Sequence, residues 1–463
     1  MSLAANDISS DRYTYDPSSK PPEFGKAVRK YWAFEDGYVN VNHGSYGSQP
    51  LPVKAETDRL LLESERHPER FLRVKYQPLL KKAREEVAEL VGAQHDEIVL
   101  VTNTTLGINT ILRNIEWREG DILLQTATTY DAVSRTAAYL SDRSEQPHPD
   151  LHTVPFIFPL SNEDIVATFR AKIRELKQAH SDRQFTIRPD QRPRDVTPGG
   201  NRFVAVIDSI SSILAVFFPW EELTKVCKEE GVWSVIDAAH SIGQEVNINL
   251  GEAKPDFWVS NCHKWLFAKR SCAALYVPKA HQNVIQSSIP TSHAYVSPEE
   301  SDNTQFVAQH EWTGTIDQTP FLSVTPALAF RKWLGGEEKI NAYCHKLARE
   351  GGLHLAELLG TKVLDKTGEQ TLSMVMVQIP LPVEETKGSI YTPEIKEKLR
   401  VLFRDRFLEE WNTFPGHSYY EGAYWARISV QVWTDMSDFE YVAKAINAIV
   451  KEAKETILNK ADA

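Results

Sequence analysis

A lysine and an aspartate of complementary chemistry follow two separate apolar segments. The segment 257–259 is followed by small polar residues and then by His263 and Lys264. The segment 234–236 ends in Asp237, 27 residues before the lysine (positions 237 and 264). Pyridoxal phosphate needs both groups, because a lysine amine binds its aldehyde as a Schiff base and a carboxylate keeps its pyridine nitrogen protonated. Either residue alone also fits a surface lysine or a helix cap, so the prediction depends on the pair.

Other polar residues of suitable chemistry also follow apolar runs that are typical of buried strands. They are Thr104, Thr105, Tyr130 and Asp208. Threonine hydroxyls and unpaired backbone amides at a helix N-terminus bind anions such as phosphate, although a threonine there can also be a simple helix cap. A tyrosine can stack on an aromatic ring and donate a proton. Because ligands bind at the carboxyl ends of parallel strands, this common placement predicts one cofactor site in a parallel α/β sheet.

Hydrophobic periodicity predicts the elements that position these residues. Strands are expected at 97–101, 121–125, 203–207, 232–236, 271–277 and 372–379. Helices are expected at 53–66, 73–91, 220–230, 326–334 and 338–359. Residues 39–47 are typical of a short strand followed by a glycine turn, and 141–202 of surface insertions with one helical pattern around 165–176. The run 372–379 alternates in a way that indicates an antiparallel sheet near the C-terminus.

From about Asn42 to Val450, these segments resemble class V of the fold-type I pyridoxal-phosphate enzymes. This family includes cysteine desulfurases, isopenicillin-N-epimerase-like proteins and the fungal ergothioneine C–S lyases, which are hercynylcysteine sulfoxide lyases. The stretches 42–45 and 425–441 look most like the fungal ergothioneine and epimerase-like branch. The resemblance implies an α/β fold, with a large domain of mainly parallel sheet and a smaller α+β C-terminal domain. The implied limits are 1–35 for an N-terminal arm, 36–320 for the cofactor-binding domain and 321–463 for the small domain.

The resemblance also implies a role for each matching residue. Lys264 and Tyr130 would be catalytic, the lysine as base and the tyrosine as stacking group and proton donor. The cofactor-binding residues would be Thr104, Thr105, Tyr130, Asp208, Asp237, His240, His263, Lys264, Gly314 and Thr315. The substrate-binding residues would be His43, Tyr46 and Arg427, with the arginine holding the α-carboxylate through two parallel hydrogen bonds. Relatives often carry glutamine where this chain has His240, which leaves the role of that side chain open.

One absence separates the reactions that this scaffold supports. Cysteine desulfurases carry a nucleophilic cysteine in the loop before the carboxylate-binding arginine, and the corresponding loop 412–426 contains none. It contains Tyr419, Tyr420, Tyr424 and Trp425, which either attract a trimethylammonium group or only pack between domains. We therefore expect a C–S lyase that cleaves a hercynylcysteine sulfoxide-like cysteine S-conjugate in ergothioneine biosynthesis and releases a thiol or sulfenate, pyruvate and ammonia. An aminotransferase, an epimerase or a cysteine desulfhydrase is the alternative, and a catalytically silent binding protein is a further one.

Composition limits the other classes of function. The net charge of −11, with 42% hydrophobic and 25% charged residues, argues for a soluble protein that binds neither nucleic acid nor a membrane surface. The four cysteines show no zinc spacing, so we expect no metal site. Reduced cysteines and the lack of an apolar N-terminal segment favour the cytoplasm. No dinucleotide or P-loop glycine motif follows the first strand.

The Gly-Thr pair at 314–315 resembles a loop that crosses the subunit interface in relatives, which implies a homodimer with an amino-acid substrate.

Overall fold

The computed structural model of the chain describes residues 12–191, 199–297, 300 and 305–459. These residues form two compact units. Unit 1 consists of the described residues within 12–47, 213–217 and 331–459, and unit 2 of those within 48–212 and 218–330. The domain limits that the sequence implies, at 35/36 and 320/321, stay predictions.

Ten strands and fifteen helices are present in the described part of the chain, together with five short turns of 3-10 or π-helix. The strands are β1 Ile98–Val101, β2 Ile122–Thr126, β3 Asp150–Val154, β4 Phe203–Asp208, β5 Trp233–Asp237, β6 Phe257–Asn261, β7 Ala273–Tyr276, β8 Met374–Gln378, β9 Gly416–Tyr420 and β10 Ala423–Ser429. The helices are α1 His43–Tyr46, α2 Leu51–Arg66, α3 Pro68–Arg70, α4 Tyr76–Leu90, α5 Thr104–Asn114, α6 Asp131–Ser141, α7 Asn162–Ala179, α8 Trp220–Glu230, α9 Leu250–Ala253, α10 Phe306–Glu311, α11 Thr319–Leu322, α12 Val324–Leu334, α13 Gly336–Leu359, α14 Pro393–Asp405 and α15 Met436–Ala453. The 3-10 turns are Val28–Tyr31 and Lys279–Val284, and the π-helical turns are Phe71–Lys75, Arg406–Glu410 and Lys454–Leu458.

Unit 2 is built on a seven-stranded sheet in the order β1-β7-β6-β5-β4-β2-β3. Strand β7 is antiparallel to both of its neighbours, and every other adjacent pair is parallel. Strands β1, β4, β5, β6 and β7 are buried along their whole length, as expected for a parallel sheet with both faces covered. This architecture confirms the predicted α/β fold. Because β4, β5 and β6 are parallel, it also brings their carboxyl ends together.

The strands predicted between 97 and 379 are all present, with ends within two residues of the expected positions. The ends of the predicted helices lie within three residues of the expected positions. Two expectations were wrong. The region 141–202 also contains β3, which pairs in parallel with β2 at the edge of the sheet. Its sequence mixes polar and apolar residues because most of the strand is half-exposed, so it lacks the continuous apolar run of a central strand. At 39–47 the structure has only an isolated bridge at Val39 and the one-turn helix α1 instead of a strand and turn.

Unit 1 contains a three-stranded antiparallel sheet in the order β8-β10-β9, which confirms the predicted antiparallel sheet. The segment 412–426, interpreted from the sequence as a loop, largely forms the hairpin of β9 and β10. Helix α13 packs closely on its neighbours through two glycines. A Cβ atom on Gly351 would lie 2.3 Å from the Phe439 ring of α15, and one on Gly352 would lie 2.6 Å from the Val375 side chain of β8. Among the described helices, none combines the length and apolar character that crossing a membrane requires.

Candidate active site

Two buried carboxyl groups lie side by side at the carboxyl ends of β4 and β5. Asp208 and Asp237 are register partners across these parallel strands, and both are buried. Thr126 and Thr128 donate hydrogen bonds of 3.0 and 2.8 Å to Oδ2 of Asp208. Burial raises the pKa of both carboxyl groups, and the charge of Asp237 raises the pKa of Asp208 further. A cationic group beside Asp237 would offset this cost and hold its carboxylate ionised.

Lys264 lies just after β6, in a hydrogen-bonded cluster with a buried histidine. Its Nζ atom is 3.0 Å from Nε2 of His240, and the indole Nε1 of Trp265 donates a hydrogen bond of 3.1 Å to Nδ1 of the same imidazole. In its protonated form, the Lys264 amine lowers the pKa of Asp237, against the larger effect of burial. The structure therefore brings Lys264, His240 and Asp237 together, and their roles in binding the cofactor stay predictions. The contact of Trp265 with His240 was not predicted.

Polar side chains surround the N-terminus of α5 next to β6. Asn103 caps the helix by accepting a hydrogen bond of 2.8 Å from the Leu106 amide. Asn261 Oδ1 accepts one of 3.0 Å from the Thr104 amide. The Oγ1 atom of Thr104 is buried and has no hydrogen-bond partner among the described residues, and Thr105 is partly exposed beside it. The positive end of a helix dipole and a buried hydroxyl at a helix N-terminus are suited to a phosphate group.

Asn261 is a site residue that the sequence interpretation missed. It lies three positions before Lys264, at the end of β6, and this position was the only available signal. His263, between these two residues, donates a hydrogen bond of 2.9 Å from Nδ1 to the carbonyl of Cys272. Burial lowers the pKa of His263 to about 4, so that its imidazole is neutral in the cofactor-free protein.

Three of the predicted site residues lie at exposed or partly exposed positions of unit 2. Tyr130 directly precedes α6, and 46% of its surface is exposed. Gly314 and Thr315 lie in the loop after α10, where Thr315 is exposed. The backbone of Gly314 has φ +129°, and no atom lies within 4 Å of the place where a Cβ would stand. These positions contrast with the buried cluster around Lys264.

In unit 1, Arg427 on β10 is a buried guanidinium held by neutral oxygen atoms. Its Nη2 donates hydrogen bonds of 2.8 Å to Asn42 Oδ1 and 2.6 Å to Ser45 Oγ. The Ser45 hydroxyl in turn donates to Asn42 Oδ1 over 2.8 Å. Burial lowers the pKa of Arg427 to about 10, which leaves it charged at neutral pH. A buried cation oriented by uncharged partners suits a carboxylate ligand.

A glycine in the adjacent strand gives the arginine its space. Gly416 on β9 is the register partner of Arg427 on β10. A Cβ at Gly416 would lie 3.3 Å from Arg427 Nε and 3.4 Å from Asn42 Oδ1. Any larger residue would therefore push on the guanidinium and on its acceptor together.

The other two predicted substrate-binding residues lie on α1 and differ in exposure. His43 is buried, and its ring makes an edge contact with Trp433 at 5.0 Å between centroids. Tyr46 is 72% exposed, and the phenolate form of its side chain would raise the pKa of Arg427. The structure thus places the Tyr46 ring in solvent within electrostatic reach of Arg427, whereas His43 belongs to the aromatic packing of unit 1.

The aromatic residues of the segment 412–426 mostly pack against their own unit. Tyr424 and Trp425 are each only 5% exposed, and Tyr424 lies against the ring of Tyr391 at 5.0 Å between centroids. The ammonium of Lys396 lies 3.5 Å from the centroid of the Tyr419 ring. One ring face of Tyr419 is therefore already occupied by a cation of the chain itself. Packing, and not an open cage for a trimethylammonium group, is the interpretation that the structure supports for these three residues.

No group of three or more His, Cys, Asp or Glu side chains that could hold a metal ion occurs in the described part of the chain.

The chain is similar to known proteins along most of its length. The aminotransferase class-V family matches residues 70–146 and 167–385. An L-cysteine desulfhydrase-like protein from Epichloe uncinata, lolT1, is 32% identical, over 96% of this chain and 98% of its own. The hercynylcysteine sulfoxide lyase of Schizosaccharomyces pombe is 30% identical, over 91% of this chain and 97% of its own. The solved complex of the cystine C–S lyase C-DES with cysteine persulfide shares the fold, with a TM-score of 0.69 at 15% identity over 89% of this chain and 97% of that one.

Proposed function

The chain belongs to the aminotransferase class-V family, and we propose that this pyridoxal-phosphate-dependent carbon–sulfur lyase cleaves a cysteine S-conjugate by β-elimination. The proposed products are a thiol or sulfenate, pyruvate and ammonia. The choice of a lyase over a desulfurase depends on the cysteines, and the roles of the site residues depend on the clusters in the two units.

The burial of every cysteine is the observation that carries the choice of reaction. The chain has four cysteines, all of them within the described residues, and all four are buried: Cys227, Cys262, Cys272 and Cys344. Burial raises the pKa of Cys227, Cys272 and Cys344, which disfavours the nucleophilic thiolate. A desulfurase passes sulfur to an accessible enzyme thiolate. Without such an acceptor, the sulfur leaves with the departing half of the substrate.

The residues of unit 2 fit pyridoxal phosphate. The α5 N-terminus supplies the positive end of its helix dipole and the buried hydroxyl of Thr104, which has no hydrogen-bond partner among the described residues, for the phosphate. Asp237 is a buried acid whose pKa is raised by burial, and a protonated pyridine nitrogen is the cation that would stabilise its charged form. Lys264 supplies the amine for the aldehyde. We assign His240, His263 and Asp208 to the surroundings of the same group, because they border these residues by contact or in sequence.

In the proposed mechanism, the bound cofactor supplies an electron sink for the charge that develops at the substrate Cα. Arg427 binds the α-carboxylate through its guanidinium, which Asn42 and Ser45 hold in place. The Lys264 amine takes the proton from Cα as general base. The electrons of the Cα–H bond then form the Cα–Cβ double bond as the C–S bond breaks, and the sulfur leaves with the bonding pair. Tyr130 protonates the sulfur, and water hydrolyses the three-carbon fragment to pyruvate and ammonia.

For the substrate, we propose a hercynylcysteine sulfoxide-like conjugate, in ergothioneine biosynthesis. The support is the similarity to the S. pombe lyase over 91% of this chain. Because Tyr424 and Trp425 are buried, recognition of a trimethylammonium group falls to other aromatic residues, and the exposed ring of Tyr46 is the candidate in unit 1. Cysteine desulfhydrase activity is the second candidate. It is supported by the similarity to the lolT1 protein and by the burial of Tyr424 and Trp425, which leaves these rings unable to surround a trimethylammonium group.

A homodimer in the cytoplasm completes the proposal. The exposed loop that carries Gly314 and Thr315 supports the dimer, because a loop that contributes to a partner's site must be accessible on its own subunit. Size-exclusion chromatography coupled to light scattering of the purified protein measures the number of subunits directly.

The test of the reaction is an assay with purified, cofactor-loaded protein. Hercynylcysteine sulfoxide, S-methylcysteine sulfoxide and free cysteine are offered separately, and pyruvate, ammonia and the sulfur product are measured. We expect pyruvate and the sulfur product in equal amounts, with the betaine conjugate turned over fastest, and no turnover by Lys264→Ala. A keto acid that still carries the sulfur would reject the lyase, and faster turnover of free cysteine would favour the desulfhydrase.

A further inference from the structure

The imidazole of His240 is held between one group that can only donate and one amine. An indole N–H has no acceptor capacity, so the bond of 3.1 Å from Trp265 Nε1 identifies Nδ1 of His240 as an acceptor without a proton. A neutral imidazole carries its single proton on the other nitrogen. Nε2–H of His240 therefore faces Nζ of Lys264 across 3.0 Å.

This arrangement discriminates between the two protonation states of the lysine. A neutral amine has a lone pair that accepts the Nε2–H bond, whereas an ammonium has only donors and would face a second donor. His240 is 1% exposed, so conversion to a charged imidazolium would carry a desolvation cost and would also put a proton on Nδ1, opposite the indole N–H. The hydrogen bonds are thus satisfied together when the amine is unprotonated.

The other charged groups near the lysine act in different directions. The carboxylate of Asp237 on β5 favours the ammonium form of Lys264, and its charge also raises the pKa of Asp208 on β4. His263, next to the lysine, is neutral because burial lowers its pKa to about 4. The charge of Arg270 lowers the pKa of His263 by a smaller amount. The Nε2–H donor of His240 favours the neutral amine of Lys264. It therefore acts against the buried carboxylates, which favour the ammonium form.

We propose that His240 is a positioning residue whose tautomer is fixed by Trp265, and that its Nε2–H keeps the Lys264 amine unprotonated whenever that amine is not bound to the cofactor. The unprotonated form is the nucleophile that captures the cofactor aldehyde and the base that accepts the substrate proton. This inference rests on the proposed role of Lys264 as the cofactor-binding lysine, but the chemistry of the amine can be measured without cofactor or substrate.

Trp258 provides a matched control for Trp265. Both indoles are buried, at 0% and 1% exposure, but Nε1 of Trp258 has no hydrogen-bond partner among the described residues. Trp265→Phe removes volume and the N–H bond to His240, whereas Trp258→Phe removes similar volume alone. His240→Leu removes the imidazole and with it the Nε2–H donor.

The experiment measures the pH midpoint of Lys264 labelling in the cofactor-free protein. A small amine-reactive reagent is applied across a pH series, and the peptide that contains position 264 is quantified by mass spectrometry. For Trp265→Phe and His240→Leu we expect the midpoint to rise by about one pH unit, the shift expected from one lost hydrogen bond of about 1.4 kcal/mol. Trp258→Phe is expected to keep the wild-type midpoint, with circular dichroism confirming that each variant is folded.

An unchanged midpoint in Trp265→Phe would overturn the proposal, as would an equal shift in Trp258→Phe, which would trace the effect to packing. The pH dependence of cofactor loading, followed by visible absorbance, gives a second reading with the same expected order of variants. A protein that shows these midpoints but releases no pyruvate would reject the lyase and leave the role of His240 standing.

Discussion

Asp208 and Asp237 are register partners at the carboxyl ends of two adjacent parallel strands, so that two buried carboxyl groups lie side by side. A single acid would be enough to hold a pyridine nitrogen. The second acid is fixed by hydrogen bonds from Thr126 and Thr128, and the pair of charges raises the energy of the ionised state. The cofactor-free protein therefore carries a local electrostatic cost that a bound cation would relieve.

This cost predicts a pH-dependent gain in stability for Asp208→Asn. The pKa of Asp208 is raised in the folded protein, so its ionisation destabilises the fold above that raised value, and the penalty disappears as the pH falls below the unfolded value of about 4. The amide oxygen can still accept from the two threonines. We expect cofactor-free Asp208→Asn to be more stable than the wild type by about 2 kcal/mol at pH 8 and to lose this advantage near pH 4.

Thermal unfolding of the cofactor-free proteins at pH 8 and pH 4 measures this difference. Asp182→Asn, at an exposed position, is the control and is expected to change the unfolding temperature little at either pH. A loss of stability of Asp208→Asn at pH 8 would show that the threonine hydrogen bonds to the charged carboxylate outweigh its burial.

Thr104→Val tests the phosphate site at the N-terminus of α5. Because the Thr104 hydroxyl is buried without a hydrogen-bond partner in the described part of the chain, its removal breaks no bond of the cofactor-free protein. A hydrogen bond to a charged phosphate contributes about 1.5–3 kcal/mol, so we expect cofactor affinity to fall by a factor of about 10 to 100. The unfolding temperature of the cofactor-free protein should stay within error of the wild type.

Thr110→Val is the matched control for that variant. Thr110 lies on the same helix, is also buried, and uses its hydroxyl to bond the Leu106 carbonyl over 2.9 Å. The Thr110→Val variant is expected to lower stability slightly and to leave cofactor affinity unchanged in an absorbance titration. Equal losses of affinity in both variants would argue against a phosphate contact at Thr104.

The central strands could be predicted because their sequences allow few other interpretations. Continuous apolar runs end in Asp208 and Asp237, and such runs are typical of strands covered on both faces. The edge strand β3 gave no such signal. The role of Asn261 also could not be predicted, because its hydrogen bond reaches Thr104, 157 residues away in the chain. Counting aromatic residues was misleading for Tyr424, since composition does not tell which ring faces are covered.

Gly416→Ala tests whether the geometry of Arg427 controls substrate binding. The added Cβ would lie 3.3 Å from the guanidinium Nε and 3.4 Å from Asn42 Oδ1, so both must shift by a few tenths of an ångström. If Arg427 holds the α-carboxylate, we expect KM for the cysteine conjugate to rise several-fold with little change in kcat. Arg427→Lys, which keeps the charge but loses the paired donors, is expected to raise KM by a factor of about 10 to 100.

The cofactor absorbance of both variants serves as the reference, because it should match that of the wild type. Ser418→Ala, on the same strand as Gly416, is expected to keep the wild-type KM. A lower kcat at constant KM in Gly416→Ala would contradict a role for Arg427 in binding the substrate carboxylate.

Alkylation of the native, cofactor-loaded protein separates a lyase from a desulfurase without any mutation. All four cysteines are buried, and burial raises the pKa of Cys227, Cys272 and Cys344, so their thiolates are both shielded and scarce. We expect excess iodoacetamide to label less than about one thiol per chain in the native protein and to leave pyruvate release intact, because no step of β-elimination needs an enzyme thiol. The unfolded protein should accept four labels, one for each cysteine of the sequence. Inactivation that follows the labelling of a single cysteine would mean that the enzyme uses a thiol, and the sulfur would then pass through the protein before its release.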